Sequence, residues 1–316
     1  MVLVTGAQGF IGSWLTERLL DDGATVVALR RDVDPRARFV ADGIAGRCIV
    51  VPADVTDYSE LVRTLNEHRV DSVFHLAAQT IVGTANRSPL STFETNVRGT
   101  YMLLEACRAV NVMGASIERV VVASSDKAYG DHAELPYREG FSLQPRYPYD
   151  VTKACTDMIA RSYAVTYGLP VAVTRLGNVY GGGDLNWSRL VPDTIRSLIA
   201  GDEPVIRSDG SPERDYLYVE DAVDAYLSVA GSLDRSGLVG RAWNVGWGKP
   251  LSVRELVERL IAVSGREVDT DVRGEGTPHG EIDRQYLDAT AMRDELGWEP
   301  SRGLDETYAW YAEHLS

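Results

Sequence analysis

Residues 1–12 read MVLVTGAQGFIG, and this stretch decides the fold because an apolar strand runs into a glycine-rich turn and then a helical pattern over 10–22. In such a setting the glycines permit a tight turn, close approach of a pyrophosphate and close packing of the helix on the strand. The start of the helix adds backbone amides and a positive dipole, which favour phosphate. A tight turn without a ligand is the alternative. The predicted dinucleotide contacts are Gly6, Gln8, Gly9, Phe10, Ile11 and Gly12.

Outward from this turn, apolar strands alternate with amphipathic helices as far as residue 176. Strand patterns are TVVALR (25–30), RCIVVPADV (47–55), SVFHLAA (72–78), RVVVASS (119–125) and VAVTRLGNVYG (171–181). Helical patterns cover residues 59–69, about 94–112 and about 149–167. This rhythm predicts an α/β fold of Rossmann type, a doubly wound parallel sheet with helices on both faces. Ligand sites in such folds lie at the carboxyl ends of the strands.

Beyond residue 176 the alternation breaks, which predicts a smaller C-terminal α/β part that binds substrate. We expect a hairpin-bearing insertion within 202–221, a helix over 252–265 with Ser252 as its N-cap, and a helix within 291–300 that stops at Gly297 before Pro300. Residues 1–176 with about 215–248 are predicted to form the dinucleotide-binding domain. The substrate-binding part would comprise about 177–214 and 249–316.

The composition of the chain argues against several kinds of binding partner. The chain has 316 residues and a net charge of −14, which repels phosphate backbones, so we expect no nucleic-acid partner. Cys48, Cys107 and Cys155 are far apart and in no metal-ligand spacing, as is typical of a reducing compartment. No apolar run reaches the roughly 18 residues of a membrane span, and the N-terminus lacks the basic region of a signal peptide. A cytoplasmic protein without a membrane or metal partner is expected.

The end of the second strand bears on the choice of cofactor. NAD-binding folds place an acidic residue there for the ribose hydroxyls, whereas this chain has Arg30 and Arg31. Arginine suits a 2′-phosphate, so NADP is modestly favoured over NAD, unless both side chains merely face solvent. Asp54 and Val55 follow the third strand and are predicted to contact the adenine.

A tyrosine and a lysine stand four residues apart in Tyr149-Asp150-Val151-Thr152-Lys153, on one face of a helix. A phenol with a pKa of about 10 is a poor base. A nearby ammonium and an oxidised nicotinamide would stabilise its phenolate and bring the pKa towards working pH. Ser125, at the end of a strand, is placed to hold a substrate alcohol. An ordinary exposed Tyr and Lys is the alternative.

Six segments together resemble the extended short-chain dehydrogenase/reductase superfamily, over essentially the whole chain. They are TGAQGFIG (5–12), HLAAQ (75–79), TNVRGT (95–100), SSDKAYGD (124–131), YDVTK (149–153) and RDYLYVED (214–221). The resemblance implies an NAD(P)-dependent enzyme, an epimerase or dehydratase, that acts on a nucleotide-diphosphate sugar. It also implies a homodimer formed through the helices at about 94–112 and 149–167. Further cofactor contacts implied are Ala77, Ala78, Asn96, Tyr149 and Lys153; implied substrate contacts are Gln79, Ser125, Asn178, Arg189, Arg214 and Arg284.

Asp126 and Lys127 are the residues that distinguish a 4,6-dehydratase from a 4-epimerase. Both begin when Tyr149 takes the proton of a C4 hydroxyl and hydride passes to the cofactor; a 4,6-dehydratase then also needs an acid and a base to remove water across C5–C6. The Asp-Lys pair resembles CDP-glucose 4,6-dehydratases, as do GSWL (12–15), GNVYGGGD (177–184) and RLVPDTIR (189–196), although the arginines after the second strand are closer to GDP-mannose 4,6-dehydratases. By resemblance Asp126 protonates the leaving C6 oxygen and Lys127 takes or assists at the C5 proton. A 4-epimerase in which the pair is structural, a 4-keto reductase and a non-catalytic dinucleotide-binding regulator remain the alternatives.

Overall fold

The computed structural model describes residues 1–235, 237–276, 282–300 and 303–315, and they form two compact units. The first unit comprises residues 1–130, 139–176 and 223–243; the second comprises 131–138, 177–222 and 244–316. This division differs from the predicted domains at three places. Residues 131–138, 215–222 and 244–248 belong to the second unit, whereas the sequence patterns assigned them to the first.

Fourteen strands are found among the described residues. They are β1 (Val2–Thr5), β2 (Val26–Arg30), β3 (Ile49–Pro52), β4 (Ser72–His75), β5 (Arg119–Ser125), β6 (Val171–Leu176), β7 (Asn178–Tyr180), β8 (Val205–Ile206), β9 (Glu213–Arg214), β10 (Tyr216–Tyr218), β11 (Ala242–Val245), β12 (Leu251–Ser252), β13 (Asp271–Val272) and β14 (Arg284–Gln285).

Twelve α-helices connect them in the same described ranges. They are α1 (Phe10–Asp21), α2 (Arg38–Ala41), α3 (Tyr58–Glu67), α4 (Val82–Arg87), α5 (Pro89–Phe93), α6 (Gly99–Val112), α7 (Pro148–Tyr167), α8 (Leu190–Ala200), α9 (Val219–Ser232), α10 (Val253–Ser264), α11 (Thr290–Leu296) and α12 (Asp305–His314). Among the described residues, no helix is both long enough and apolar enough to span a bilayer.

The central sheet has seven strands in the order β11-β6-β5-β4-β1-β2-β3. The six strands from β6 to β3 pair in parallel, and their order is that of a doubly wound dinucleotide-binding sheet. The predicted fold class is confirmed. The sheet order reverses between β1 and β4, so the loops that follow these two strands lie beside each other, where such sheets bind ligands.

The core of the first unit lies between this sheet and the helices that cover it. Leu3, Val27 and Val120 from the strands and Leu61 and Leu103 from the helices are fully buried. Because parallel strands are buried on both faces, their sequences read as continuous apolar runs rather than as alternation. The strands could therefore be recognised in the sequence as continuous apolar runs.

The helix predicted over 94–112 has two parts. Residues Glu94–Arg98 form a π-helical turn, and the regular α6 begins at Gly99. A Cβ atom on Gly99 would lie 2.5 Å from Val55 Cγ1, so glycine allows α6 to pack directly on that side chain. The apolar pattern of 94–112 gave no indication of the wider turn.

In the second unit, the expected hairpin within 202–221 is wrong. The three short strands of this segment pair elsewhere: β8 with β13, β9 with β12 and β14, and β10 with β7. Glycine and proline between two apolar runs are typical of a hairpin, yet each run found a partner distant in the chain. The helix prediction is confirmed at α10, where Ser252 and Glu255 form a reciprocal capping box, and at α11, which ends before Gly297 in a left-handed conformation.

Candidate active site

The glycine turn after β1 is closely packed against its surroundings. Gly6 has φ +76°, and a Cβ atom there would lie 2.7 Å from the Ala77 nitrogen in the loop after β4. A Cβ atom on Gly12 would lie only 2.0 Å from the Gly6 carbonyl oxygen, so glycine is needed for α1 to start this close to the strand. Gly9 is the N-cap of α1, and no side chain caps this helix end in the described structure. Its first amides are therefore available to a phosphate group.

Gln8 connects the glycine turn with the loop after β2. With its carboxamide oriented so that oxygen and nitrogen both find partners, its side-chain nitrogen donates to the Asp32 carbonyl at 3.2 Å and its oxygen accepts from the Asp34 amide at 3.1 Å. Arg31 lies 2.6 Å from an Asp32 carboxylate oxygen and 3.8 Å from Asp54, so its charge is shared between two carboxylates. The Arg30 side chain, by contrast, forms no ion pair within the described ranges.

Asp54 and Val55 differ in their surroundings. Asp54 Oδ1 accepts from both the amide and the hydroxyl of Thr56, at 2.8 and 2.7 Å, which orders the turn after β3. The Val55 side chain is buried in the core against Gly99. A contact from Val55 to a ligand would therefore be made by its backbone.

Asn96 fixes the loop that follows β4. Its Oδ1 accepts from the Gln79 amide at 2.7 Å, and its Nδ2 donates to the Gln79 carbonyl at 3.1 Å and to Thr152 Oγ1 at 2.9 Å. The Gln79 side chain accepts from the Ile81 amide at 2.7 Å. The Asn96 carboxamide is thus engaged with Gln79 and Thr152, a positioning role that the sequence motif did not reveal.

Ser125, Asp126 and Lys127 lie in one short turn at the carboxyl end of β5. Ser125 Oγ donates to Asp126 Oδ1 at 2.9 Å and accepts from the Lys127 amide at 3.2 Å. These bonds cap the 3₁₀ helix of residues 126–129. The Asp126 side chain is 2% exposed, whereas Lys127 is half-buried. The three residues singled out in the sequence are therefore held together.

Tyr149 and Lys153 lie in the first turns of α7, and both are buried. Lys153 Nζ donates to the Ala123 carbonyl at 2.8 Å, and Ser124 Oγ donates to the Lys153 carbonyl at 3.1 Å, so α7 is joined to the end of β5. Burial lowers the pKa of Lys153 to about 8. A lysine of this kind remains charged at neutral pH in a poorly solvated place, where its field acts most strongly on a neighbouring phenol.

His75 was not singled out in the sequence, although it lies at the end of β4 between two threonines. Nδ1 is 2.8 Å from Thr5 Oγ1, and Nε2 is 3.0 Å from Thr100 Oγ1. Burial, with a smaller effect of the Lys153 charge, lowers the pKa of His75 to about 3. The imidazole is therefore neutral and adds no second positive charge beside Lys153.

Asp150 was also missed. It follows Tyr149 in the first turn of α7, and only 3% of its surface is exposed. Burial raises its pKa to about 6; the Lys127 charge lowers it and the Asp126 carboxylate raises it. No pattern in the sequence marks it, because only its burial in the structure sets this carboxylate apart from an ordinary exposed one.

The substrate residues expected in the second unit have partners there. Arg189 precedes α8 and forms an ion pair of 2.9 Å with the buried Asp184. Asn178 begins β7, and its amide donates to the Asp215 carbonyl at 2.8 Å. Arg214 is buried, and its Nη1 donates to the carbonyls of Glu213 and Asp283 at 2.9 and 3.0 Å.

Arg214 and Arg284 lie on neighbouring strands but not on the same face. In the parallel pairing of β9 with β14, Arg284 is opposite Glu213, and Arg214 is opposite Gln285. Because side chains alternate along a strand, the two arginines point to opposite faces of this small sheet. Arg284 is half-exposed and forms an ion pair of 2.7 Å with Glu213. The register thus places these two predicted substrate contacts on opposite faces of the small sheet.

The family to which the chain belongs follows from comparison with known sequences. Residues 2–246 match the model of the NAD dependent epimerase/dehydratase family, and the chain belongs to this family of enzymes. A curated relative, the CDP-glucose 4,6-dehydratase of Salmonella typhimurium, is 31% identical over 321 residues, which cover 97% of this chain and 88% of the relative.

Solved structures of the same kind are similar along the whole chain. The UDP-glucose 4-epimerase of Thermotoga maritima, solved with UDP-glucose, has a TM-score of 0.89 at 28% identity and covers 100% of this chain and 99% of its own. A double mutant of the dTDP-glucose 4,6-dehydratase of Streptomyces venezuelae, solved with NAD, has a TM-score of 0.87 at 30% identity. The match covers 99% of this chain and 97% of that structure's chain. Both a dehydratase and an epimerase thus share this fold.

Proposed function

We propose that the protein is a nucleotide-sugar 4,6-dehydratase, which converts a hexose on a nucleoside diphosphate to its 4-keto-6-deoxy form. The observation that carries the proposal is the turn after β5, where two ionisable side chains directly follow the hydroxyl of Ser125. An elimination needs an acid and a base in addition to the groups that oxidise C4. Asp126 and Lys127 supply one carboxyl and one amine at this place.

The residues around the glycine turn fit a bound dinucleotide. The uncapped start of α1 would receive the pyrophosphate, Asp54 and the backbone of Val55 would lie near the adenine, and Ala77 and Ala78 follow the neighbouring strand β4. A bound nicotinamide dinucleotide would supply the acceptor for the C4 hydride and the donor of the hydride that C6 receives. Tyr149 takes the C4 hydroxyl proton, and the charged Lys153 stabilises the phenolate that this step needs. Ser125 orients the sugar alcohol.

Elimination follows from the 4-keto sugar. The ketone acidifies the C5 proton, which Lys127 takes or helps to remove, while Asp126 gives a proton to the departing C6 oxygen. A lysine acts as a base only when its pKa is lowered or its proton is passed on. The second unit would hold the nucleoside diphosphate, for which Arg189, Arg214 and Asn178 offer guanidinium and amide donors.

Mass spectrometry tests the proposal directly. The purified protein is incubated with CDP-glucose, GDP-mannose, dTDP-glucose and UDP-hexoses, each with NAD and with NADP. A product lighter by one water is expected from one of them. Lys127→Ala should prevent water loss and leave the reduced cofactor trapped; dehydration at the wild-type rate would show that Lys127 is structural.

A 4-epimerase is the second candidate, because Asp126 is bonded to Ser125 and could serve only to shape the turn. The structural similarity to the Thermotoga maritima epimerase supports this candidate as much as the similarity to the Streptomyces venezuelae enzyme supports a dehydratase. It predicts a product of unchanged mass with inverted C4 configuration by NMR. Neither reaction consumes the cofactor, whereas a 4-keto reductase would oxidise NADPH stoichiometrically.

We propose NADP as the preferred dinucleotide. Arg30, at the end of β2, has no carboxylate partner within the described ranges and is the guanidinium available to a 2′-phosphate. Arg31 shares its charge with Asp32 and Asp54 and would contribute less.

We also propose that the protein is a homodimer and that it is located in the cytoplasm. On α6 and α7 several large apolar side chains are exposed, among them Tyr101, Val112, Met158 and Val165, whereas Leu103 and Leu104 are core. Exposed apolar side chains on neighbouring helices favour association with a second copy. The three cysteines are free thiols, as expected in a reducing compartment. Sedimentation equilibrium should give twice the chain mass, with Val165→Glu shifting it towards the monomer.

A further inference from the structure

Arg175, the second-to-last residue of β6, is a fully buried arginine that the proposed mechanism does not use. Its side chain is 1% exposed, and that of its partner Asp157 on α7 is 0% exposed. Nε and Nη2 donate to the two carboxylate oxygens of Asp157 at 2.7 and 3.1 Å. Burying two charges costs about as much free energy as their attraction returns, so stability alone does not explain the pair. The planar fork does supply a fixed geometry.

The remaining nitrogen of the guanidinium reaches the turn that carries the elimination residues. Arg175 Nη1 donates to the Tyr129 hydroxyl at 2.8 Å and to the Glu139 carbonyl at 3.1 Å. Tyr129 is the last residue of the 3₁₀ turn of residues 126–129 and is 0% exposed. Burial raises the pKa of Tyr129 to about 12, so the phenol stays neutral and accepts this bond. One guanidinium therefore connects α7 with the turn.

The groups for C4 oxidation are held by other bonds. Ser125 is still part of the sheet, where it pairs with Leu176 of β6. Lys153 Nζ donates to the Ala123 carbonyl, and Ser124 Oγ donates to the Lys153 carbonyl, so this part of α7 is fixed directly to β5. These contacts do not involve the guanidinium, and the oxidation groups should keep their places without it.

The two elimination residues, by contrast, follow the last paired residue of β5. The Ser125 hydroxyl caps the start of their turn. Its far end is Tyr129, whose hydroxyl is bonded to Arg175 and whose carbonyl accepts from the Gln144 amide at 3.0 Å. A single 3₁₀ turn has weaker internal hydrogen bonds than an α-helix, so the anchors at its two ends decide its position.

We propose that Arg175 is a positioning residue for the elimination step and acts through the Tyr129 hydroxyl. This inference rests on the proposed dehydratase function. Asp157 fixes the guanidinium to α7, the helix that carries the base for C4 oxidation, and the guanidinium fixes the end of the elimination turn. The acid and the base for water loss are thereby kept at a set distance from the sugar that α7 oxidises. A displacement of about 1 Å is enough to slow such a step by about 100-fold.

The test uses Tyr129→Phe, which removes one hydroxyl from a buried ring and leaves the Arg175–Asp157 pair in place. Tyr163→Phe is the matched control, because it removes a phenol hydroxyl that donates to a charged side chain, Glu105, at 3.2 Å. C4 oxidation is followed by the absorbance of the reduced nicotinamide in a single turnover. Water loss is followed by mass spectrometry on whichever nucleotide sugar the wild type dehydrates.

We expect Tyr129→Phe to separate the two steps. C4 oxidation should stay within about threefold of the wild type, whereas water loss should slow by about tenfold or more, so that reduced nicotinamide accumulates. The substrate KM should stay within about twofold, because the hydroxyl belongs to the turn rather than to the substrate contacts. Tyr163→Phe should leave both steps unchanged.

Arg175→Lys is a second variant with the same expectation. Lysine keeps a positive charge beside Asp157 but has one nitrogen in place of three, so it cannot hold the carboxylate and the Tyr129 hydroxyl in the same geometry. Water loss should slow by about 100-fold and more than C4 oxidation. Thermal unfolding shows whether each variant is folded, and Tyr129→Phe decides the matter where Arg175→Lys is not.

Three outcomes would overturn the inference. Water loss by folded Tyr129→Phe at the wild-type rate would overturn it and leave the dehydratase function intact. An equal loss of C4 oxidation and water loss in this variant would show that the hydroxyl only supports the fold. A wild-type protein that only epimerises would overturn the inference and the dehydratase function together.

Discussion

Asn96 Nδ2 donates to Thr152 Oγ1 at 2.9 Å, and the Thr152 hydroxyl donates in turn to the Tyr149 carbonyl at 2.7 Å. The same Asn96 carboxamide holds both backbone groups of Gln79. The loop after β4 and the first turn of α7 are therefore fixed to each other through one buried side chain. A site built in this way keeps Tyr149 in place before any ligand binds.

Tyr149→Phe should reduce C4 oxidation by about 1000-fold, because the phenol that accepts the hydroxyl proton is removed. The reduced nicotinamide formed in a single turnover measures this. Tyr147→Phe removes the same hydroxyl two residues earlier, at the N-cap of α7, and should leave the rate unchanged. Oxidation by Tyr149→Phe at a rate close to wild type would refute the assigned base.

Gly12→Ala should destabilise the protein and abolish dinucleotide binding. The added Cβ would lie 2.0 Å from the Gly6 carbonyl oxygen, so either the turn or α1 must move. Overpacking of this kind costs about 1–3 kcal/mol of unfolding free energy. Denaturant unfolding and fluorescence titration with NADPH measure the two effects. Gly46→Ala, where no atom lies within 4 Å of the new Cβ, is the control.

His75 should stay neutral well below pH 6. Its folded pKa is lowered to about 3, so the folded state binds fewer protons than the unfolded chain between about pH 3 and 6.5. The contribution of His75 to stability is therefore complete above about pH 6.5 and is lost as pH falls towards 3. Histidine NMR signals, assigned with His75→Asn, should show no titration of His75 between pH 8 and 5. A midpoint near 6.5 would contradict the buried pairing with Thr5 and Thr100.

Arg214→Ala and Arg284→Ala should differ in their effect on substrate binding. Because Arg214 is buried and the half-exposed Arg284 lies on the opposite face, paired with Glu213, we expect only Arg214→Ala to raise the substrate KM by about tenfold or more. Steady-state kinetics measure both. Equal increases would mean that the register of β9 and β14 does not separate their roles.

Arg30→Ala should raise the Kd for NADP by about tenfold and leave that for NAD within about twofold, because only NADP carries the 2′-phosphate. Isothermal titration with both dinucleotides measures the ratio. Arg63→Ala, which removes an exposed arginine from α3, is the control. If Arg30→Ala weakens NAD and NADP equally, the proposed preference fails.

The sequence predicted the parallel sheet and the groups at its carboxyl edge because both are local patterns. The strands are continuous apolar runs, and Gly6, Ser125, Tyr149 and Lys153 lie where strand or helix patterns begin or end. The partners of the short strands of 202–221 could not be predicted. These strands pair with β7, β12, β13 and β14, which lie far away in the sequence, and local patterns carry no information on such pairing. His75 and Asp150 were missed for another reason: their character comes from burial, which a single sequence does not display.

The two units are interleaved along the chain: each consists of three separate segments, and the chain passes between them five times. No single fragment of the gene encodes either unit. Under the proposed role of the second unit in substrate binding, a laboratory exchange of substrate preference between two relatives would have to transplant residues 131–138, 177–222 and 244–316 together. In evolution, too, a single recombined segment of the gene cannot carry the whole second unit. We therefore expect new specificities in such a chain to arise by point substitution rather than by recombination of whole modules.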